Sequence, residues 1–269
     1  MDWRELARRI DMPAETAAEL EKAAQSFELA KYAEGVREMA EDRFSADAYN
    51  RLEQLLIPDE GSFKMEICQL AVAALNYETC RKAGMPEKIY FDTMRAYSRF
   101  AAEMHLTNGS WKSVRTNWSF RHCSLRIFRV GALEYEFSKE PFSLRIHIPS
   151  DADFSPDSVR ASIRGYRAFV KEFFPEFEAA PITCRTWLLS ETLLKLLPET
   201  SNIVRFREVF DIEGQTYDCF EPIDFLFRVP ADTPYGELPE RTTLQRRAKQ
   251  LLLSGGHIGI GYGTVKILE

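Results

Sequence analysis

Cysteine is scarce and scattered in this chain. Cys68, Cys80, Cys123, Cys184 and Cys219 are odd in number and contain no C-x-x-C pair. That argues against a disulfide framework and a zinc-ligand set, and leaves reduced, buried thiols. Long apolar runs are missing too. The longest, Leu70–Leu75, falls far short of the roughly 20 residues of a bilayer span. Met1-Asp2-Trp3-Arg4-Glu5 has no apolar signal core, so a cytoplasmic protein is expected. Nor is there an excess of positive charge: 35 Lys and Arg face 41 Asp and Glu, for a net charge of −6. A nucleic acid or an anionic membrane is therefore a poor partner, and a small-molecule ligand the better expectation.

What is present reads as an ordinary soluble chain, 45% hydrophobic and 28% charged over 269 residues. Up to about Arg121 the pattern is helical. Pro13 opens a helix to Ala24, Phe27–Asp42 continues the pattern, and Ser45 caps a helix that stops before Pro58. Phe63–Lys82 shows an apolar side of Met65, Cys68, Val72 and Leu75 and ends at Gly84. Pro86 begins another helix through Phe100, and a last one spans Ser110–Phe120.

Near Ser124 the periodicity changes. Leu125–Val130 and Ala132–Phe137 read as strands, followed by the central stretch Phe142–Ser190. There a strand (Phe142–Ile148) alternates Phe142, Leu144, Ile146 and Ile148 against Ser143, Arg145 and His147. Ser155 as N-cap and Pro156 at the first position open a helix whose Val159, Ile163, Tyr166, Val170 and Phe173 form one apolar stripe. A strand over Ile182–Leu189 completes a βαβ unit, whose strand ends and helix N-terminus form an anion-binding corner. Beyond it come helical segments (Glu191–Leu197, Ser201–Phe210), a strand at Ile223–Val229, a helix from Pro239 to Leu253 and a strand from His257 to Ile267. The sum is an α+β chain, with a helical N-terminal domain over 1–120 and a mixed α/β domain over 121–269.

Five segments occur in order: Trp118 with Arg121-His122, Leu125–Phe137, His147-Ile148-Pro149, Cys184-Arg185-Thr186-Trp187-Leu188-Leu189 and Ser201–Phe206. Together they resemble the bacterial acyltransferase-domain-containing proteins, a helical N-acyltransferase N-terminal domain followed by a GNAT-like C-terminal domain. The resemblance covers nearly the whole chain. It implies a GNAT-type sheet and N-acyl transfer to an amine, with acyl-CoA as co-substrate and no permanently bound cofactor. The alternative is a non-catalytic GNAT-derived scaffold that binds a small metabolite or a partner protein. GNAT enzymes hold the CoA pyrophosphate on a glycine-rich loop at a helix N-terminus. Here Pro149–Asp157 has no glycine and three aspartates, and Pro156 lacks an N–H. Coulomb repulsion in that loop weakens the expectation of CoA binding.

Two groups of residues carry candidate chemistry. A four-residue Ser138–Pro141 loop pairs Phe137 with Phe142, setting Glu134 opposite Arg145 and Glu136 opposite Ser143, on one face with His147. His147 or Glu136 then serves as general base beside Glu134 and Arg145. The commoner outcome for such a cluster is a charged ladder. Trp187 and Ser190 sit at the end of the later strand, with Asn202, Arg205 and Arg207 within reach of the same edge; Trp187 offers a ligand wall, and Arg205 and Arg207 a carboxylate or phosphate clamp. The structural alternative buries Trp187 and makes Asn202 a helix cap. Cys184, mid-strand, reads as an inert thiol. Gly259, Gly261 and Gly263 share a strand face that either packs tightly or holds an extended ligand; no helix follows them, which excludes a phosphate fingerprint. Leu6–Leu20 has helix-turn-helix spacing, but its second helix brings Glu15, Glu19 and Glu21 and no base-reading arginine.

Overall fold

A computed structural model describes residues 1–112, 115–217 and 221–266. The chain divides into two compact units, Met1–Val130 and Gly131–Glu269. Among the described residues no helix is long and apolar enough to cross a membrane.

The first unit is helical: α1 (Trp3–Arg9), α2 (Ala14–Ala24), α3 (Ala33–Glu41), α4 (Asp47–Leu55), α5 (Phe63–Lys82), α6 (Glu87–Met94), α7 (Ala96–Asn108) and α8 (Thr116–Cys123), then the strand β1 (Ile127–Val130). The helix expected over Ser110–Phe120 starts only at Thr116, and Ser113 and Val114 lie outside the described residues. α5 is the axis of this unit, with α1, α2, α3 and α8 packed against it. Being surrounded, it is buried on more than the one expected stripe. Leu75 is exposed, while Glu66, Gln69 and Asn76 are buried.

The buried amides of α5 are bonded, as burial demands. Gln69 Nε2 donates to the Thr116 carbonyl at 2.8 Å, and its Oε1 accepts from the Ser119 hydroxyl at 2.7 Å. Asn76 Nδ2 donates to the Cys123 carbonyl at 2.8 Å. All three bonds tie α8 to α5. Cys68, Cys80, Cys123 and Cys184 are free and buried. Burial pushes the thiols of the first three up to about 12. Cys219 lies outside the described residues.

The second unit holds β2 (Leu133–Lys139), β3 (Phe142–His147), α9 (Pro156–Phe173), β4 (Ile182–Thr186), α10 (Glu191–Leu194), α11 (Asn202–Arg207), β5 (Phe210–Thr216), α12 (Glu221–Phe227), α13 (Thr243–Leu253) and β6 (Ile260–Val265). Its strands follow the order β2-β3-β4-β6-β5. β3 and β4 are parallel, joined through α9, and the other pairs are antiparallel. α9 lays Val159, Ile163, Tyr166 and Val170 on the apolar sheet face, each burial contributing roughly 1.5–3 kcal/mol. Tyr166 stacks on Tyr135 with centroids 3.9 Å apart, and the Tyr135 hydroxyl meets Ser162 Oγ at 2.8 Å.

Several local expectations need correction. The β2–β3 turn has two residues, Glu140 and Pro141, so Lys139 pairs with Phe142 and Phe137 with Leu144. Ser138 and Lys139 extend the ladder in place of forming a loop. Glu136 therefore faces Arg145, and Glu134 faces His147. The shift is two residues, an even number, so all four stay on one face. Ile223–Val229 is not a strand. Glu221–Phe227 forms α12, which buries Ile223 and Phe227 in an apolar cluster with Leu188, Leu193, Leu238 and Leu252. Spacing of four residues decides there over β propensity. The unexpected strand is β5, a polar edge with a bulge between Ile212 and Gly214. The expected end of the last strand, Ile267, lies outside the described residues.

Candidate functional site

Alternation gathers a polar sheet face: Glu134 and Glu136 from β2, Arg145 and His147 from β3, Thr183 and Arg185 from β4, Tyr262 and Thr264 from β6. Within it, His147 Nε2 stands 2.8 Å from Glu136 Oε2. The Glu136 side chain is 2% exposed and that of His147 25%. A carboxylate so buried is tolerable only beside a hydrogen-bonding or charged partner. If Nε2 carries the proton directed at Glu136, the imidazole lone pair falls on Nδ1. Glu134 is buried as well. Arg145 turns away toward the hairpin, donating from Nη2 to the Glu140 carbonyl at 3.1 Å.

The β3–β4 ladder runs from Leu144↔Ile182 to Ile146↔Cys184 and stops there. Both strands continue beyond the last pair, β3 to His147 and β4 to Thr186. The ladder thus stops, as a fork does, at the carboxyl ends of two parallel strands, the usual ligand position in such sheets. Cys184 sits at its base, fully buried, with its thiol pushed well above the ordinary range by desolvation. It is a core residue.

The loop after β3 is organised by a carboxylate. Asp153 Oδ1 accepts from the Ser155 N–H at 2.8 Å, and Oδ2 accepts from the hydroxyls of Ser155 at 2.9 Å and Ser158 at 2.5 Å. These bonds, that of Ser158 foremost, lower the Asp153 pKa. Ser155 is the N-cap by position, yet its hydroxyl donates to Asp153 and makes no cap bond. The chain's own carboxylate thus holds the first turn of α9. The sequence signal was the Asp153-Phe154-Ser155-Pro156 spacing, which favours side chain-to-backbone bonds two residues on.

The second group of expected site residues is split. Thr186 Oγ1 accepts from the Leu188 N–H, so β4 ends and Trp187–Leu189 forms a 3₁₀ turn. Trp187, expected at a strand end, packs half-buried on the cluster around Leu188 and Leu193. Ser190 is fully buried and caps α10 through Leu193 N–H. Asn202 does not cap α11; Ser201 does, accepting from Ile203 N–H at 3.3 Å, and Asn202 is exposed. Arg205 is exposed on α11. α11 packs against α9, and its Phe206 meets Phe154 of the loop at 5.2 Å.

The glycines of β6 are filled by backbone. A Cβ at Gly261 would lie 2.5 Å from the Leu189 carbonyl oxygen, and one at Gly263 2.3 Å from that of Asp211. Close packing, not an open groove, accounts for them. Sequence reading missed Arg185 on the His147 face, although alternation with Thr183 marks it, and the 2.5 Å bond from Thr264 Oγ1 to Glu213. Among the described residues no group of His, Cys, Asp and Glu could hold a metal ion.

Residues 1–125 match the N-acyltransferase N-terminal domain model, and residues 127–265 the GNAT-like C-terminal domain model. No curated protein matches the chain. Among solved structures it is similar to an acyltransferase in complex with decanoyl-CoA and teicoplanin, at 21% identity and a TM-score of 0.81. A second acyltransferase structure, in complex with decanoyl-CoA, gives 22% and 0.80. Each alignment covers 98% of this chain and 87% of the other. At such identity the likeness speaks for the fold, and it agrees with the α+β architecture read from the sequence.

Proposed function

The chain belongs to the family that joins an N-acyltransferase N-terminal domain to a GNAT-like C-terminal domain, and on that premise we propose that it is an acyl-CoA-dependent N-acyltransferase using His147 and Glu136 for proton transfer. The supporting observation is the 2.8 Å His147–Glu136 contact where the β3–β4 ladder stops. The amine lone pair attacks the thioester carbonyl carbon, a C–N bond forms and the C–S bond breaks. The His147 imidazole takes the amine proton, buried Glu136 stabilises the imidazolium, and the proton passes on to the leaving thiolate. Acyl-CoA and amine become amide and CoA thiol. Trp187 walls the fork. Arg205, exposed on the helix beside the loop, supplies the cation for the CoA phosphates that the loop itself lacks. The acceptor is a small-molecule amine.

A second reading, a scaffold that binds a metabolite or partner without turnover, is favoured by one observation: Asp153 already holds the first turn of α9. A thermal-shift series with acetyl-CoA, decanoyl-CoA and free CoA tests the first reading. A ligand that binds only the folded state adds about 2.7 kcal/mol at 100 times its Kd. Acyl-CoA raises Tm, and Arg205→Ala reduces the rise. No rise at millimolar ligand rejects the acyl-CoA reading.

A further inference from the structure

The outer face of α9 carries charge that this chemistry does not use. Arg160, Arg164, Arg167 and Lys171 are all exposed. Their spacing of four, three and four residues forms one stripe along roughly 16 Å of helix. Ala161 and Ala168, also exposed, leave low ground between the cations, and acids stand only at the ends, Asp157 and Glu172. Lys171 lies 3.7 Å from Glu178, and Arg167 donates to the Ala180 carbonyl at 2.8 Å. Arg160 and Arg164 form no ion pair among the described residues. Beside the C-terminal half of the stripe is an open groove of about 420 Å³, lined by Arg167, Ala168, Lys171, Glu178, Ala180 and Pro181. On a chain of net charge −6, such a stripe selects an acidic partner.

Resting on the reading of a thioester donor, we infer that this face docks the acidic helix of a small carrier protein, which brings the acyl group on a phosphopantetheine arm. Cations at 4-3-4 spacing with alanines between them suit a second helix laid along the first. Asp157, Glu172 and Glu178 oppose the continuous phosphates of a nucleic acid. The stripe begins about one turn from the α9 N-terminus, the end reached by the loop from His147. A docked carrier therefore releases its arm toward the β3–β4 fork. A protein-bound arm presents one phosphodiester in place of a pyrophosphate, which suits a loop with three aspartates and no glycine. Carrier thioester and amine become amide and carrier thiol, with the same bonds made and broken as for acyl-CoA.

The test uses the full chain, its Arg160→Glu/Arg164→Glu variant and a purified bacterial acyl carrier protein in its phosphopantetheinylated form. Both side chains are exposed and form no ion pair among the described residues, so the variant keeps the wild-type Tm and turns over acyl-CoA within about twofold of wild type. Titration at low salt finds carrier binding that weakens about tenfold or more in the variant and fades as salt rises. No binding to the wild type, or binding that the double substitution leaves unchanged, overturns the inference. So does preferential binding of a DNA duplex to the stripe. Stripe-dependent carrier binding without amide formation from any thioester would reject the transferase reading and leave the docking surface standing.

Discussion

Replacing Gly261 by alanine probes how the end of β4 is held. The added Cβ meets three atoms of one residue, Leu189: its oxygen at 2.5 Å, its carbonyl carbon at 2.7 Å and its Cβ at 2.8 Å. Two of these are backbone, so the clash is not relieved by a rotamer change. The 3₁₀ turn carrying Trp187 must lift off β6. Overpacking costs about 1–3 kcal/mol, and immobile obstacles put this case near about 2–3. At about 2–4 °C per kcal/mol for a domain of this size, Tm falls by about 4–12 °C. Gly236 is the control, since no atom of the described residues lies within 4 Å of its Cβ position; Gly236→Ala stays within about 0.5 kcal/mol. Differential scanning calorimetry of the two variants decides the matter. An unchanged Tm for Gly261→Ala would refute the packing of Leu189 on β6 and reopen that strand face as a ligand groove.

Three further outcomes follow from the geometry. The Tyr166 hydroxyl is buried with no hydrogen-bond partner among the described residues, whereas that of Tyr135 meets Ser162. Tyr166→Phe is therefore neutral or stabilising in urea unfolding, while Tyr135→Phe costs about 1 kcal/mol. Burial pushes the Cys68, Cys80 and Cys123 thiols up from an ordinary 9.0 to about 12. Their raised pKa gives stability fully present below pH 9 and lost as pH climbs toward 12, so the urea midpoint falls across that window. Asp153→Asn removes one negative charge from the loop after β3. At about 1 kcal/mol for a charge pair near 4 Å in water, the KM for acyl-CoA drops about fivefold, read by initial rates.

The βαβ core was legible because three independent signals coincide there: alternation in Phe142–His147, Pro156 at a helix start and the apolar stripe of α9. Side-chain parity also placed Glu136 and His147 on one face, despite a register wrong by two residues. Ser138 and Lys139 have turn chemistry, but nothing local tells whether a ladder continues through such residues, and here pairing across the hairpin carries them. α12 was misread because Ile223, Phe225 and Phe227 also fit a strand, and only the cluster formed by distant α13 and the Trp187–Leu189 turn decides for a helix. β5 was hidden for the opposite reason. Asp211, Glu213 and Gly214 look like a loop, and the strand exists because β6 supplies its partner. Likewise the capping role of Ser190 was missed, because only the turn after β4 sets α10 behind it.

Free-thiol release from decanoyl-CoA in the presence of a panel of primary amines, with amide product confirmed by mass, tests the central claim most directly. The wild-type chain releases thiol only when an accepting amine is present. His147→Ala slows that release by about 10²–10⁴-fold, while Glu136→Gln keeps part of the rate and shifts its pH profile. Amide formation at wild-type rates by the His147→Ala protein would contradict the account.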